Sequence, residues 1–474
     1  MKNLSLALLA TFLTVASASA ATPSPSTPPL PPIKVSDNGR FFVKEDATPF
    51  FWLGDTAWSI FNHPTPADVD FYMDDRKAKG FTVIQGCIAL WDYRTRRNPD
   101  GQIPFINGDP AQINDAFFKN VDNILDKAAS HGLYMAVLPF WTKNTRTGAA
   151  ADPATMKKYC HYLAARYAAR NVFWVLGGDT AGTDIQPVTD AEAEGLLAGA
   201  KEAGVSKIMI TFHPTGRQSS SFWFQERPWL DFDAIQSGHF INTTNFQIVA
   251  ADYAKKPVKP TLDMEPGYEN ITNNLVRDAS AATAPRIQAV DVRRGAYLAV
   301  FAGAAGHTYG NGEVYEFWQA DRAAAMPGWG SNLPWRDSLK LPASGQVQFV
   351  RWLIESRPML QRIPDQSLLA GTASNRALDR IEATRADDGT YAFVYLPAGQ
   401  STVTVNTAKL SGTQLAAWWY DPRTGVSAKI DQSPKTDTRT FTVPAPTDKI
   451  PATQNDWVLV LDDAAKNFSE PGKH

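Results

Sequence analysis

Two acids, each closing an apolar run, are the residues of this 474-residue chain best suited to do chemistry. The stretch Asn171–Asp184 reads NVFWVLGGDTAGTD. Val172 to Leu176 form an unbroken apolar run, and the run ends on Gly177-Gly178-Asp179. Such a run suits a parallel strand covered on both faces. An acid at the C-terminal end of such a strand stands where barrel enzymes keep their chemistry, although Gly-Gly-Asp alone also reads as an ordinary turn. A second stretch, Thr261–Glu269 (TLDMEPGYE), places Glu265 at the end of another strand-like segment. Two carboxyl groups suffice to hydrolyse a glycosidic bond: one protonates the leaving oxygen, and the other attacks the anomeric carbon or activates water. A retaining mechanism needs them ~5–5.5 Å apart and an inverting one ~6.5–9.5 Å, a distance that sequence does not supply.

Other strand-end residues surround this pair. Asp55 is a third acid of the same ring, suited to hold a sugar hydroxyl or to orient Trp58. Asp263 alternates with Glu265 and is placed on the same face, while Glu269 falls in the following loop. Of the 14 tryptophans, Trp58, Trp91, Trp141, Trp223, Trp229, Trp318, Trp329 and Trp335 fall in loops or at strand ends. Their ring faces stack well on the C–H face of a sugar. The expected substrate-binding set is Asp55, Trp58, Trp91, Asp92, Trp141, His213, His239, Tyr268, Tyr309 and Trp318. His213, His239 and His307 together suggest a metal site, but no H-x-H or H-E-x-x-H motif is present, so hydroxyl-binding or structural roles are favoured and no metal or cofactor is expected.

The elements that must position these residues follow from the punctuation of the chain. Residues 1–20 carry Lys2, an apolar run from Leu4 to Val15 and the small-residue site Ala18-Ser19-Ala20, the pattern of a secretory signal. The protein is therefore expected outside the cell, or in the periplasm of a Gram-negative host. Residues 21–32 form a Pro/Ser/Thr-rich linker. From residue 33 to 362, strand-like runs alternate with helical ones. Strands are expected at Phe50–Gly54, Phe81–Ile88, Tyr134–Phe140, Asn171–Leu176, Lys207–Phe212, Phe232–Gln236, Val258–Met264 and Gly306–Gly310. Thr65-Pro66 and Asp152-Pro153 read as helix starts, as does the capping-box spacing of Thr189 and Glu192. Eight such strands argue for a (β/α)8 TIM barrel, and no dinucleotide fingerprint supports an open sheet. The loop at 311–344, rich in aromatics, is expected to cover the strand-end pocket with at least one tryptophan facing the substrate. Residues 363–474 switch to short alternating runs, the pattern of a small antiparallel β-sandwich.

The remaining composition narrows the partners. A net charge of −2 gives no sign of a nucleic-acid or anionic-membrane partner. No segment after residue 20 is long and apolar enough for a membrane helix. Two cysteines, Cys87 and Cys160, do not make a disulfide scaffold; buried free thiols are favoured over a pair. Asn242, Asn270 and Asn467 sit in N-x-S/T sequons, which matter only in a eukaryotic host.

Four segments carry a specific likeness. FFWLGDTAW (Phe50–Trp58), NVFWVLGGD (Asn171–Asp179), MEPGYE (Met264–Glu269) and GHTYG (Gly306–Gly310) together resemble the apiosidase-like catalytic domain of glycoside hydrolase family 140. AWWYDPRTG (Ala417–Gly425) resembles the small β domain that commonly follows it, sometimes labelled collagen-binding. The resemblance implies that Asp179 is the acid/base and Glu265 the nucleophile of a retaining reaction. It also implies a carbohydrate substrate: pectin of plant cell walls, cleaved at apiose linkages of its side chains. The wider barrel-hydrolase clan usually has Asn-Glu at the fourth strand; Gly178-Asp179 departs from that, with a side chain one methylene shorter. The leading expectation is thus a secreted, monomeric glycoside hydrolase. A carbohydrate-binding protein on an inactive barrel and a metal-dependent barrel hydrolase are the competing readings.

Overall fold

The computed structural model describes residues 27–144, 148–276, 279–322 and 330–473. The signal segment, the start of the linker and Trp329 lie outside them. Eight parallel strands form the barrel: β1 (Trp52–Thr56), β2 (Val83–Ala89), β3 (Tyr134–Phe140), β4 (Phe173–Thr180), β5 (Met209–Pro214), β6 (Asp233–Gln236), β7 (Thr261–Asp263) and β8 (Gly306–Tyr309). The ladder runs without a break from β5 through β1 and β8 to β6. Single hydrogen bonds draw β5 and β6 together. Asp231 N donates to the Ile210 carbonyl at 2.9 Å, the Asp231 carboxylate accepts from Ile210 N at 2.9 Å, and the Thr211 hydroxyl donates to the Phe232 carbonyl at 2.6 Å. The N-terminal hairpin strands plug the lower end: Phe42 packs on Trp52, Phe173 and Phe232. The end of the expected linker is docked there too, since the Leu30 carbonyl accepts from Asn171 and the Pro31 carbonyl from the Tyr134 hydroxyl.

Helices α1 (Pro66–Ala78), α2 (Asp115–Ser130), α3 (Pro153–Tyr167), α4 (Gln186–Glu202), α5 (Asn245–Tyr253), α6 (Ala289–Phe301) and α7 (Gln348–Glu355) surround the strands. Thr65 and Asp152 cap α1 and α3 as their sequence promised. The expected start of α4 at Thr189 is wrong: the helix begins at Gln186, with a proline in its first turn, and Thr189 and Glu192 are buried inside it. The reason is close packing on α3. A Cβ on Gly195 would stand 2.3 Å from the Lys157 carbonyl and one on Gly199 2.2 Å from that of His161. The helices touch backbone to backbone, and this contact overrides a cap-like spacing.

The C-terminal region forms a six-stranded antiparallel sheet from β9 (Arg362–Pro364), β10 (Glu382–Ala386), β11 (Tyr391–Leu396), β13 (Gln414–Tyr420), β14 (Ser427–Pro434) and β16 (Trp457–Asp463). A two-stranded ladder of β12 (Thr402–Val405) and β15 (Arg439–Thr442) covers it. Strand alternation divides β11 between two cores. Ala392, Val394 and Leu396 pack with Val403, Val405 and Phe441, whereas Tyr391, Phe393 and Tyr395 join the barrel core. Tyr395 stacks on Tyr297 of α6 with centroids 5.1 Å apart, and Arg293 of α6 makes a two-pronged ion pair with Asp456, 2.7 and 3.0 Å, almost wholly buried. Cys87 and Cys160 are both buried and free. Among the described residues no helix is long and apolar enough to cross a membrane.

Candidate active site

A cavity of about 510 Å³ opens at the C-terminal ends of the strands, and both Asp179 and Glu265 line it. Each acid reaches it through a break in its strand. On β4, Gly177, Gly178 and Asp179 have φ of 85°, 106° and 53°, and the register with β5 slips between Gly177 and Thr180. Bulges of this kind re-aim side chains beside active sites. Both glycines are required: a Cβ would stand 2.6 Å from the Phe212 ring at Gly177 and 2.9 Å from the Trp141 ring at Gly178. At the end of β7, the amides of Met264 and Glu265 both donate to the Ile235 carbonyl, at 2.8 and 3.3 Å. That pinch separates Glu265 from Asp263, which is buried against Ser237 and Asn245 with its pKa pushed up to about 6 by burial. The expectation that the two share a face therefore fails.

Glu265 is held by two imidazoles. His239 Nε2 lies 3.1 Å from Oε1 and His213 Nε2 2.9 Å from Oε2. Burial disfavours the carboxylate, but the close contacts and charge of His213 and His239 outweigh it and hold Glu265 well below the usual carboxylate range. Burial likewise works against the His213 cation, and the contact with Glu265 overcomes it, so the His213 pKa is raised. On its other nitrogen, His213 meets the Asp179 amide at 3.4 Å, so one ring links the two acid-bearing strands. The Asp179 carboxylate accepts from Lys143 at 2.9 Å and from Gln236 at 2.7 Å.

An aromatic wall surrounds the acids. Trp58 and Trp141 meet edge to face at 5.1 Å, both rings pack on His213, and Trp91 abuts Trp141. Tyr268 takes a 3.1 Å hydrogen bond from the Trp58 indole and packs on His239. Trp58, Trp91, Trp141, His239 and Tyr268 thus line the cavity, and His213 supports it from a fully buried position.

Besides His213, four of the expected residues do not line it. Trp52 points into the barrel, where its indole donates to Thr308, so strand alternation turns Asp55 outward to Tyr72 and Arg76 of α1. Tyr309 faces outward by the same parity and donates to Glu269, which is buried and also accepts from Ala343 N. Asp92 pairs with Arg96. Trp318 is buried in the long loop, whose contribution to the cavity is Tyr315; Trp335 packs on Phe71 and Phe317, so among the described residues no tryptophan of that loop lines the cavity. His307 is fully buried in β8 and stays apart from His213 and His239; among the described residues no group of three His, Cys, Asp or Glu is arranged to hold a metal. Lys143, Gln236 and Arg217, which sequence reasoning did not single out, all line the cavity. Their signal was available in part: Lys143 and Gln236 are polar residues at strand ends.

Comparison with known proteins agrees with this geometry. Residues 36–361 match the family model of the apiosidase-like catalytic domain, and residues 363–462 match that of a domain named for collagen binding in a collagenase. A solved glycoside hydrolase is 31% identical, with a TM-score of 0.82 over 92% of this chain and 97% of its own. A glycoside hydrolase family 5 protein from Bacteroides vulgatus ATCC 8482 is 30% identical, with a TM-score of 0.82 over 93% of this chain and 95% of its own. No curated protein matches the chain. With two carboxylates in one aromatic cavity at the barrel mouth and the catalytic-domain model matched over most of its length, the chain belongs to the apiosidase-like family of glycoside hydrolases.

Proposed function

We propose that this glycoside hydrolase acts outside the cell on pectin-type side chains of plant cell walls, cleaving at apiose with net retention. Glu265 attacks the anomeric carbon while Asp179 gives its proton to the leaving oxygen, so the glycosidic bond breaks as a glycosyl ester forms. Water then attacks the ester, and the Asp179 carboxylate takes its proton. The observation that carries this reading is the pair of imidazoles on Glu265, which keep it ionised and aimed into the cavity that Asp179 also lines. A nucleophile has to be charged and fixed in place, and both follow from that geometry. The leaving oxygen must take the place that Lys143 holds against Asp179 in the ligand-free protein. Likeness to the apiosidase-like family supports the choice of apiose, and residues 1–20 support export.

The test is a panel of plant glycans and aryl glycosides, apiosides included, with the product anomer followed by NMR from the first turnovers. Apioside cleavage with the configuration of the substrate is the expected result. An inverted first product refutes retention, and cleavage confined to other glycosides refutes apiose.

A further inference from the structure

Helix α6 lies between the C-terminal domain and the loop that carries His239, and two successive arginines serve the two sides. Side chains four residues apart share a helix face, and the next residue is turned by about 100°. Arg293, Tyr297 and Phe301 form such a stripe, and the β domain grips all three. Asp456 pairs with Arg293, Tyr395 stacks on Tyr297 and Phe393 on Phe301, with ring centroids 5.1 and 5.9 Å apart. At the far end of the helix, Arg362 of β9 donates to the carbonyls of Val300 and Ala304. A cation there meets carbonyls that the helix itself leaves unpaired. The other domain thus fixes α6 along its length.

Arg294 faces the catalytic side. Its Nη2 donates to the Ile241 carbonyl and to the Asp291 carboxylate, both at 2.6 Å. Asp291 also accepts from the Gln288 amide in the capping box of α6, so the guanidinium is anchored to the start of its own helix. Ile241 comes two residues after His239, in the irregular segment between β6 and α5. A segment without a ladder depends on individual bonds for its place. The Ile241 amide donates to Asn273 at 2.9 Å and the His239 carbonyl accepts from the Asn274 amide at 2.9 Å, both within loops. Arg294 ties the same segment to a helix. A parallel tie comes from Asn245, which donates to the Gly295 carbonyl of α6 at 2.8 Å and to Asp263, two residues before Glu265, at 3.0 Å.

We propose that the C-terminal domain is a positioning element of the catalytic site: it clamps α6, and Arg294 of that helix holds the loop that presents His239 to Glu265. Arg294 is then a positioning residue, acting on Glu265 only through His239. The inference rests on Glu265 as the reacting carboxylate and is independent of the choice of apiose.

Double-mutant cycles on the full-length protein test it, with kcat/KM read on an aryl glycoside that the protein cleaves, below the unfolding transition of every variant. Arg294→Met should lose on the order of 10- to 100-fold, because a displacement of about 1 Å beside the reacting atoms costs ~10²-fold. Arg294→Lys, which can still donate to the Ile241 carbonyl, should recover part of that loss. In a His239→Ala protein no imidazole is left to place, so Arg294→Met should change kcat/KM by no more than about 2-fold. Asp456→Asn keeps the shape of the domain contact and removes its charge; it should lose about 3- to 30-fold, and this loss too should vanish in the His239→Ala protein. Tyr395→Leu, which removes the stack on Tyr297 and leaves the ion pair, takes its place if Asp456→Asn does not fold. Losses that persist undiminished without His239 are merely structural and overturn the proposal. Coupling at Arg294 without coupling at either domain residue overturns the part assigned to the C-terminal domain. Wild-type turnover by Glu265→Gln sinks the reading of Glu265 itself, and the proposal with it.

Discussion

Gly178→Ala isolates what the bulge on β4 does for catalysis, and Gly204→Ala is its control. Both glycines have positive φ, 106° and 76°. Alanine at either position carries a conformational penalty of ~1–2 kcal/mol. At Gly204, just past the C-terminus of α4, an added Cβ meets nothing within 4 Å, so the penalty stands alone. At Gly178 the Cβ would stand 2.9, 3.1 and 3.2 Å from three atoms of the Trp141 ring. Trp141 is buried between Trp58, Trp91 and His213, so it has little room to retreat. The chain must then relax the bulge, which moves the adjacent Asp179. A shift of about 1 Å at a catalytic group costs ~10²-fold in rate. Gly204→Ala should therefore lose ~1 kcal/mol of stability in a urea melt and keep wild-type kcat/KM on an aryl glycoside. Gly178→Ala should lose at least as much stability and ~10²-fold in kcat/KM. If both variants have the same activity, the bulge does not position the acid and the argument fails.

Three further outcomes follow from the same geometry. Glu265→Gln should abolish turnover of every substrate, while Asp179→Asn should retain more of its first-step rate on substrates with good leaving groups and yield a glycosyl azide of unchanged configuration with azide; equal losses on activated and natural substrates would contradict the roles. Burial of Glu192 between α3 and α4 pushes its pKa from 4.5 up to about 8. A raised carboxyl favours the fold fully below about pH 4.3 and loses that advantage as pH rises through about 8. Glu192→Gln should thus gain stability over wild type across that window, toward a ceiling of about 5 kcal/mol at ~1.4 kcal/mol per unit; a pH-independent difference in melts refutes the burial argument. Asp456→Ala leaves Arg293 buried and unpaired between barrel and sandwich, and should cost ~3–5 kcal/mol in a denaturant melt, whereas a loss below ~1 kcal/mol would mean the pair is solvated.

The sequence alone determined the architecture and named both acids. Eight apolar runs with helical stretches between them leave few alternatives to a barrel, because a parallel sheet needs crossovers and covered faces. Asp179 and Glu265 were legible because each closes a strand-like run, whereas the exclusion of any side chain at Gly177 and Gly178 follows from their packing on Phe212 and Trp141. Tertiary structure decided which neighbours face the cavity. Asp55 and Tyr309 sit at strand ends as the cavity residues do, yet the parity set by Trp52 inside the barrel turns them to α1. Alternation predicted a common face for Asp263 and Glu265, and a pinch on one carbonyl divided them. Trp318 and Trp335 were legible as aromatics of a long loop, but their burial depends on surfaces distant in sequence. The convergence of His213 and His239 on Glu265 joins β5, the loop after β6 and the end of β7, a contact that exists only once the ring has closed.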